Sequence, residues 1–128
     1  MHDSRQQVGR EGESLAERFL RSRGYRILAR NVRSPSGELD VVAEDGDVLV
    51  FVEVKVRQTN AFGGAPYAVD PRKQSRIVKQ AALYLARHRI NGRSCRFDVV
   101  LLHASGERDP AIELVQNAFE VQDGHWLR

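Results

Sequence analysis

Cysteine occurs once in these 128 residues, at Cys95. One thiol closes no internal disulfide and gives no zinc-ligand spacing, so it reads as a strand-edge or core residue rather than a nucleophile. The four histidines, His2, His88, His103 and His125, form no His-x-x-x-His pair, which excludes the common helical zinc motif. No apolar run approaches the roughly 20 residues that cross a bilayer, and the opening MHDSRQQVGREGE lacks a signal-peptide core. A cytoplasmic protein with no membrane partner is expected. Lysine is scarce: of 20 basic residues 17 are Arg, leaving Lys55, Lys73 and Lys79. Residues 71–96 lack acids altogether while carrying eight basic groups.

That last absence gives the net charge of +3 its meaning. Residues 34–70 carry seven acids against two bases, so an acidic segment is followed by a wholly basic one. A solvated charge face is the plainer explanation of any such run, but eight to none is the footprint of a surface that meets a polyanion. A content of 41% hydrophobic and 29% charged residues is ordinary for a globular chain, and this length supports one core. Residues 1–128 are therefore expected to form a single domain, with the first few residues disordered.

Hydrophobic spacing predicts a helix over residues 5–23, with Val8, Gly12, Leu15, Ala16 and Phe19 on one stripe, Glu13 at its flank and Gly24 as the stop. YRILARNV reads as a first strand. GELDVVAEDGDVLVFVEVKVRQ reads as a hairpin, with Asp45-Gly46 as a type I′ turn. QTNAFGGAPYAVD is a loop whose Gly63-Gly64 pair favours mobility. Asp70-Pro71 is an N-cap followed by Pro at the first helical position, opening a helix to about Arg89 with Ile77, Ala81, Tyr84, Leu85 and His88 as its core stripe. CRFDVVLLH is a further strand, and AIELVQNAF a last strand or a short helix. A helical crossover between the third and fourth strands makes that pair parallel, so the expectation is an α/β sandwich: a central mixed β-sheet flanked by helices.

Alternation along the hairpin puts Leu39, Val41, Ala43, Val48, Val50, Val52, Val54 and Val56 on one apolar face. The other carries Glu38, Asp40, Val42, Leu49, Phe51, Glu53, Lys55 and Arg57. With the turn at Asp45-Gly46, Glu53 falls opposite Glu38 and Asp40 lies diagonal to it. Like charges so placed destabilise a ladder unless something positive lies between them, and a metal ion would serve. The plainer reading is a solvated ladder of carboxylates with Lys55 and Arg57, each pair worth under about 1 kcal/mol. The choice of Lys in a chain so biased to Arg favours a functional role, because Lys is a compact charge that can shift its pKa.

Asp40, twelve intervening residues and then Glu53-Val54-Lys55 resemble the PD-(D/E)XK nuclease signature, with Leu39 standing where its name has Pro. The wider pattern, GREGESLAERFLRSRGY, NVRSPSGELDVV, FVEVKVR and RFDVV, resembles the YraN family of small bacterial proteins. That family is in turn similar to archaeal Holliday-junction resolvases. The resemblance implies a restriction-endonuclease-like fold and a Mg²⁺- or Mn²⁺-dependent endonuclease acting on DNA, on branched or repair intermediates. It implies Asp40, Glu53 and the Val54 carbonyl as metal ligands, and Glu13 as an accessory catalytic acid. Lys55, on the face of Glu53, is placed to orient the attacking water. Arg72, Lys73, Arg76 and Lys79 are candidate phosphate contacts. QAALY resembles the Gln-x-x-x-Tyr box of RecB-like nucleases and adds Gln80 to them, although Tyr84 is more simply a core residue. No small-molecule cofactor is expected. Resolvase-like relatives are dimers, so a homodimer is compatible with the resemblance, though no exposed apolar stripe demands one. Two alternatives remain: a non-catalytic nucleic-acid-binding module of the same fold, and a protein-interaction domain whose basic helix meets an acidic partner.

Overall fold

The computed structural model describes residues 4–57, 69–103 and 111–121. The elements are α1 (Ser4–Ser22), β1 (Arg26–Ser34), β2 (Gly37–Asp45), β3 (Val48–Arg57), α2 (Pro71–Arg87), β4 (Cys95–His103) and β5 (Ala111–Val115). The strands form one sheet in sequence order, antiparallel except for the parallel β3–β4 pair that α2 connects. This is an α/β fold with a five-stranded mixed sheet, and AIELV resolves as a strand. The side chain of Val8, the expected disorder of the first residues and the expected mobility at Gly63-Gly64 fall outside the described residues.

Each helix covers one face. Ala16 and Leu20 of α1 pack with Tyr25, Val41, Ala43, Val50, Val52, Val100 and Leu102. On the other side Ile77, Ala81, Tyr84 and Leu85 of α2 pack with Val42, Leu49, Phe51, Phe97, Val99 and Leu101. The face of the hairpin expected to be charged is thus core over its Val42, Leu49 and Phe51 half, and only its Glu53 end is polar. Full burial of a Leu, Val or Phe contributes about 1.5–3 kcal/mol, so both faces hold the sheet. His88, expected in the α2 stripe, is instead the exposed C-cap, its ring tilted against Tyr84 at 4.2 Å between centroids.

α1 stops as expected, with Gly24 at φ 90° and the Tyr25 amide returning to the Leu20 carbonyl at 3.0 Å. Asp70 caps α2, its Oδ1 accepting from the Arg72 amide at 2.7 Å. Gly12 lets α1 approach the sheet closely: a Cβ there would lie 3.0 Å from Leu102 Cδ1 and 3.1 Å from Val56 Cγ2. Gly12→Val is therefore expected to destabilise by about 1–3 kcal/mol through overpacking, read as a lowered urea midpoint.

The turn departs from expectation. Asp45 pairs with Val48, so the two-residue loop is Gly46-Asp47, with Gly46 at φ 60° in the first loop position, as a type II′ turn requires. Asp45 stays in the strand, where Arg96 holds its carboxylate at 2.9 Å. Moving the turn by one residue shifts the register by two, so the faces hold for most residues while the opposed pairs change. Leu39 is the exception on the faces. It packs with Val32 and Val42 on the α2 side, beside the point where Asn31 interrupts β1 with φ 51°.

Candidate functional site

The new register sets the site. The regular β2–β3 ladder ends at Val41↔Val52, and the next pair in sequence would be Asp40 and Glu53, not Glu38 and Glu53. In place of a further backbone rung, Asp40 Oδ2 accepts from the Val54 amide at 2.8 Å. The Glu53 carboxylate lies within hydrogen-bonding reach of Asp40. Above them stands the first turn of α2, whose Lys73 Nζ lies 2.6 Å from Glu53 Oε1. Alternation along β3 puts Lys55 on the face of Phe51 and Glu53, and it is half-buried there.

Burial and proximity make the carboxylates costly to charge together. Asp40 is pushed up from 3.8 to about 7, first by desolvation, then by the charge of Glu53, with the Val54 amide pulling the other way. For Lys73, burial alone would lower the pKa, but the hydrogen bond and charge of Glu53, with the charge of Asp40, leave it raised. An acid poised near neutrality beside a second acid is a common mark of a functional site.

The other expected residues fall into two groups. Arg72, Arg76 and Lys79 are exposed on α2. Gln80 is 4% exposed, and its amide is taken up inside the chain: Oε1 accepts from Ser34 Oγ at 2.7 Å and Nε2 donates to Ser36 Oγ at 2.8 Å. That side chain ties α2 to the β1–β2 turn instead of facing a ligand. Tyr84 is core, edge-on to Phe51 at 5.9 Å. Glu13 is half-buried on α1, next to Gly12 and hence on the side of Val56 and Leu102; no described hydrogen bond or ion pair joins it to Asp40 or Glu53.

Sequence reasoning placed Lys73 among the phosphate contacts and missed that it is the positive partner of Glu53. The available signal was its place as one of three lysines, in the first turn of a helix, where the macrodipole disfavours a cation. Sequence reasoning also missed a second polar cluster, on the α1 side, built on Asp98. Its oxygens accept from Tyr25 Oη at 2.6 Å, from Arg96 Nε at 2.9 Å and from the Asn117 amide at 2.9 Å.

The donor chemistry fits a hard divalent cation. Among the described residues no three His, Cys, Asp or Glu side chains gather as a ligand cluster. Mg²⁺ characteristically takes one or two carboxylates and keeps waters or substrate phosphates for the rest of its shell. Asp40 and Glu53 would supply those two carboxylates, and a cation between them would offset both the burial and the Glu53 charge that raise Asp40.

Fold and site together define a small α/β protein with a carboxylate pair set beneath a basic helix start. Comparison with known proteins places it further. The family model described as Uncharacterised protein family UPF0102 matches residues 12–102. A UPF0102 protein of Desulfosudis oleivorans is 44% identical over 120 residues, covering 94% of this chain and 95% of its own. One of Symbiobacterium thermophilum is 49% identical over 112 residues, covering 88% and 95%. One of Stutzerimonas stutzeri is 47% identical over 116 residues, covering 90% and 96%. The chain belongs to the UPF0102 family, the YraN family that its sequence resembles. Among the described residues no helix is long and apolar enough to cross a membrane.

Proposed function

We propose that this protein is a metal-dependent nuclease that hydrolyses DNA phosphodiester bonds, on branched or other recombination and repair intermediates, with a restriction-endonuclease-like sandwich as its scaffold. The observation that carries this reading is the juxtaposition of Asp40 and Glu53, with Asp40 pushed to about 7, beneath the basic start of α2. Asp40, Glu53 and the Val54 carbonyl would hold Mg²⁺ or Mn²⁺. When bound, that ion neutralises charge on the phosphoryl and leaving oxygens. Lys55 Nζ orients the water for in-line attack or offsets the charge that develops on the phosphate. Arg72, Arg76 and Lys79, all exposed on one helix, hold the nucleic-acid backbone without reading its sequence.

The test is a calorimetric Mn²⁺ titration of the wild type beside Asp40→Ala and Glu53→Ala, followed by cleavage assays on branched, single-stranded and duplex DNA. Metal binding is expected to be lost in both variants and cleavage to fall by at least about a hundredfold, with DNA binding retained. Cleavage that persists in both variants overturns the reading.

One observation favours a non-catalytic binding module instead: Lys73 already neutralises Glu53 without a metal. In that case binding depends on Arg72, Arg76 and Lys79, ignores added Mg²⁺, and weakens steeply with salt.

A further inference from the structure

We propose that Lys73 is a displaceable counter-ion, which holds Glu53 in the metal-free protein and is released toward the substrate phosphate when a divalent cation takes its place. The inference rests on the reading of Asp40 and Glu53 as metal ligands, and it assigns a role to a residue on a different element.

The two partners of the ion pair are unequal. The Glu53 side chain is 11% exposed, whereas that of Lys73 is 48% exposed. A carboxylate so enclosed is costly to leave without positive charge, while a half-exposed ammonium returns to water easily. Glu53 therefore needs a cation, but Lys73 does not need this anion. Exchange of one cation for another keeps Glu53 neutralised throughout and leaves Lys73 unoccupied on the first turn of α2.

Local helix chemistry does not explain a cation there. The first turn of α2 contains no acid, and its Arg72 and Lys73 oppose the macrodipole, which favours negative charge at this end. Once Lys73 is free, this helix start presents two neighbouring cations, Arg72 and Lys73, to an incoming phosphate while Asp70 continues to cap the helix. The residue type agrees as well. In a chain with 17 Arg and three Lys, this position carries Lys. A guanidinium would grip the carboxylate with two parallel hydrogen bonds, whereas an ammonium is a point charge that a metal ion can replace. Lys73 also feels the charge of Asp40, so it lies where a cation shared by both carboxylates would compete with it.

The experiment is a calorimetric Mn²⁺ titration at pH 8 of the wild type, Lys73→Met, Lys73→Arg and, as a control, Arg87→Met in the last turn of α2. Lys73→Met is expected to bind Mn²⁺ about fivefold more tightly than the wild type, since the competing cation is gone. Lys73→Arg is expected to bind it more weakly, and Arg87→Met to match the wild type. In the presence of Mn²⁺, Lys73→Met should bind a short DNA duplex more weakly than the wild type does. Wild-type Mn²⁺ binding that Lys73→Met leaves unchanged or weakens overturns the counter-ion role and leaves the metal site standing. Mn²⁺ binding in none of the four proteins overturns the metal site itself, and the counter-ion role with it. Lys73→Arg keeps the ion pair and so guards against a folding defect in the Met variant.

Discussion

Asp98→Ala should lower the free energy of unfolding by about 3–5 kcal/mol, the cost of breaking a buried ion pair by removing one partner. Asp98 is 1% exposed and sits in β4 opposite Val52, on the side covered by α1. Its two oxygens collect four hydrogen bonds: one from Tyr25 Oη, two from the Arg96 guanidinium and one from the Asn117 amide. These donors come from the connection after α1, from β4 itself and from the turn after β5. The carboxylate thereby fixes how three separated parts of the chain meet. Burial and the bond to Asp98 push Tyr25 up to about 12, so the phenol stays protonated and donates.

Truncation to Ala leaves these donors unequally served. Arg96 keeps Asp45 at 2.9 Å, but the Tyr25 hydroxyl, which only accepts from the Gln116 side-chain amide at 2.9 Å, and the Asn117 backbone amide both lose the acceptor described for them. Domain stabilities are typically about 5–15 kcal/mol, so the loss should be visible as a large drop in urea midpoint. Tyr25→Phe, which removes one hydroxyl from the same cluster, should cost less, about 1–2 kcal/mol. The cluster lies across the sheet from Asp40 and Glu53, so Mn²⁺ affinity of folded Asp98→Ala should match the wild type. A midpoint unchanged from wild type would show that the network contributes specificity rather than stability.

This cluster also marks the limit of what the chain declares in advance. RFDVV reads as a strand by its apolar content, and β4 duly forms, yet nothing local says that Asp98 will be buried or that its partners lie 73 and 19 positions away. Helix boundaries were legible because their signals are local: Asp70-Pro71 and Gly24 act within one turn. The parallel β3–β4 pair followed from the length of the connection between the two strands. The hairpin register was not fixed by its own dipeptide. Asp45-Gly46 is a good turn by local chemistry, but Arg96 draws Asp45 into the strand and the turn moves to Gly46-Asp47. Asp40 and Glu53 were legible as a pair because period-two alternation survives that shift. Lys73 as their neighbour was not, because helix-to-sheet docking is a tertiary fact with no spacing rule.

The raised pKa of Asp40 predicts an opposite stability trend from that of an ordinary salt-bridged acid. In the unfolded chain the group titrates near 3.8, and in the folded, metal-free protein near 7. Between those values the folded state holds a proton that the unfolded state has lost, so stability falls as pH rises through this window and the penalty is fully present above it. Asp40→Asn, whose amide oxygen can still accept from Val54, removes that penalty. It should match the wild type near pH 4 and exceed it at pH 8 by on the order of 2–4 kcal/mol in chelator, measured by urea unfolding. The same proton opposes metal. Below pH 7 wild-type Mn²⁺ affinity should fall by about tenfold per pH unit, with about one proton released per ion at pH 6 and almost none above pH 8. Calorimetry in two buffers of different ionisation enthalpy reads that proton directly. Equal affinity at pH 6 and pH 8 would mean that Asp40 is already ionised in the metal-free protein, with Lys73 and the Val54 amide outweighing its burial.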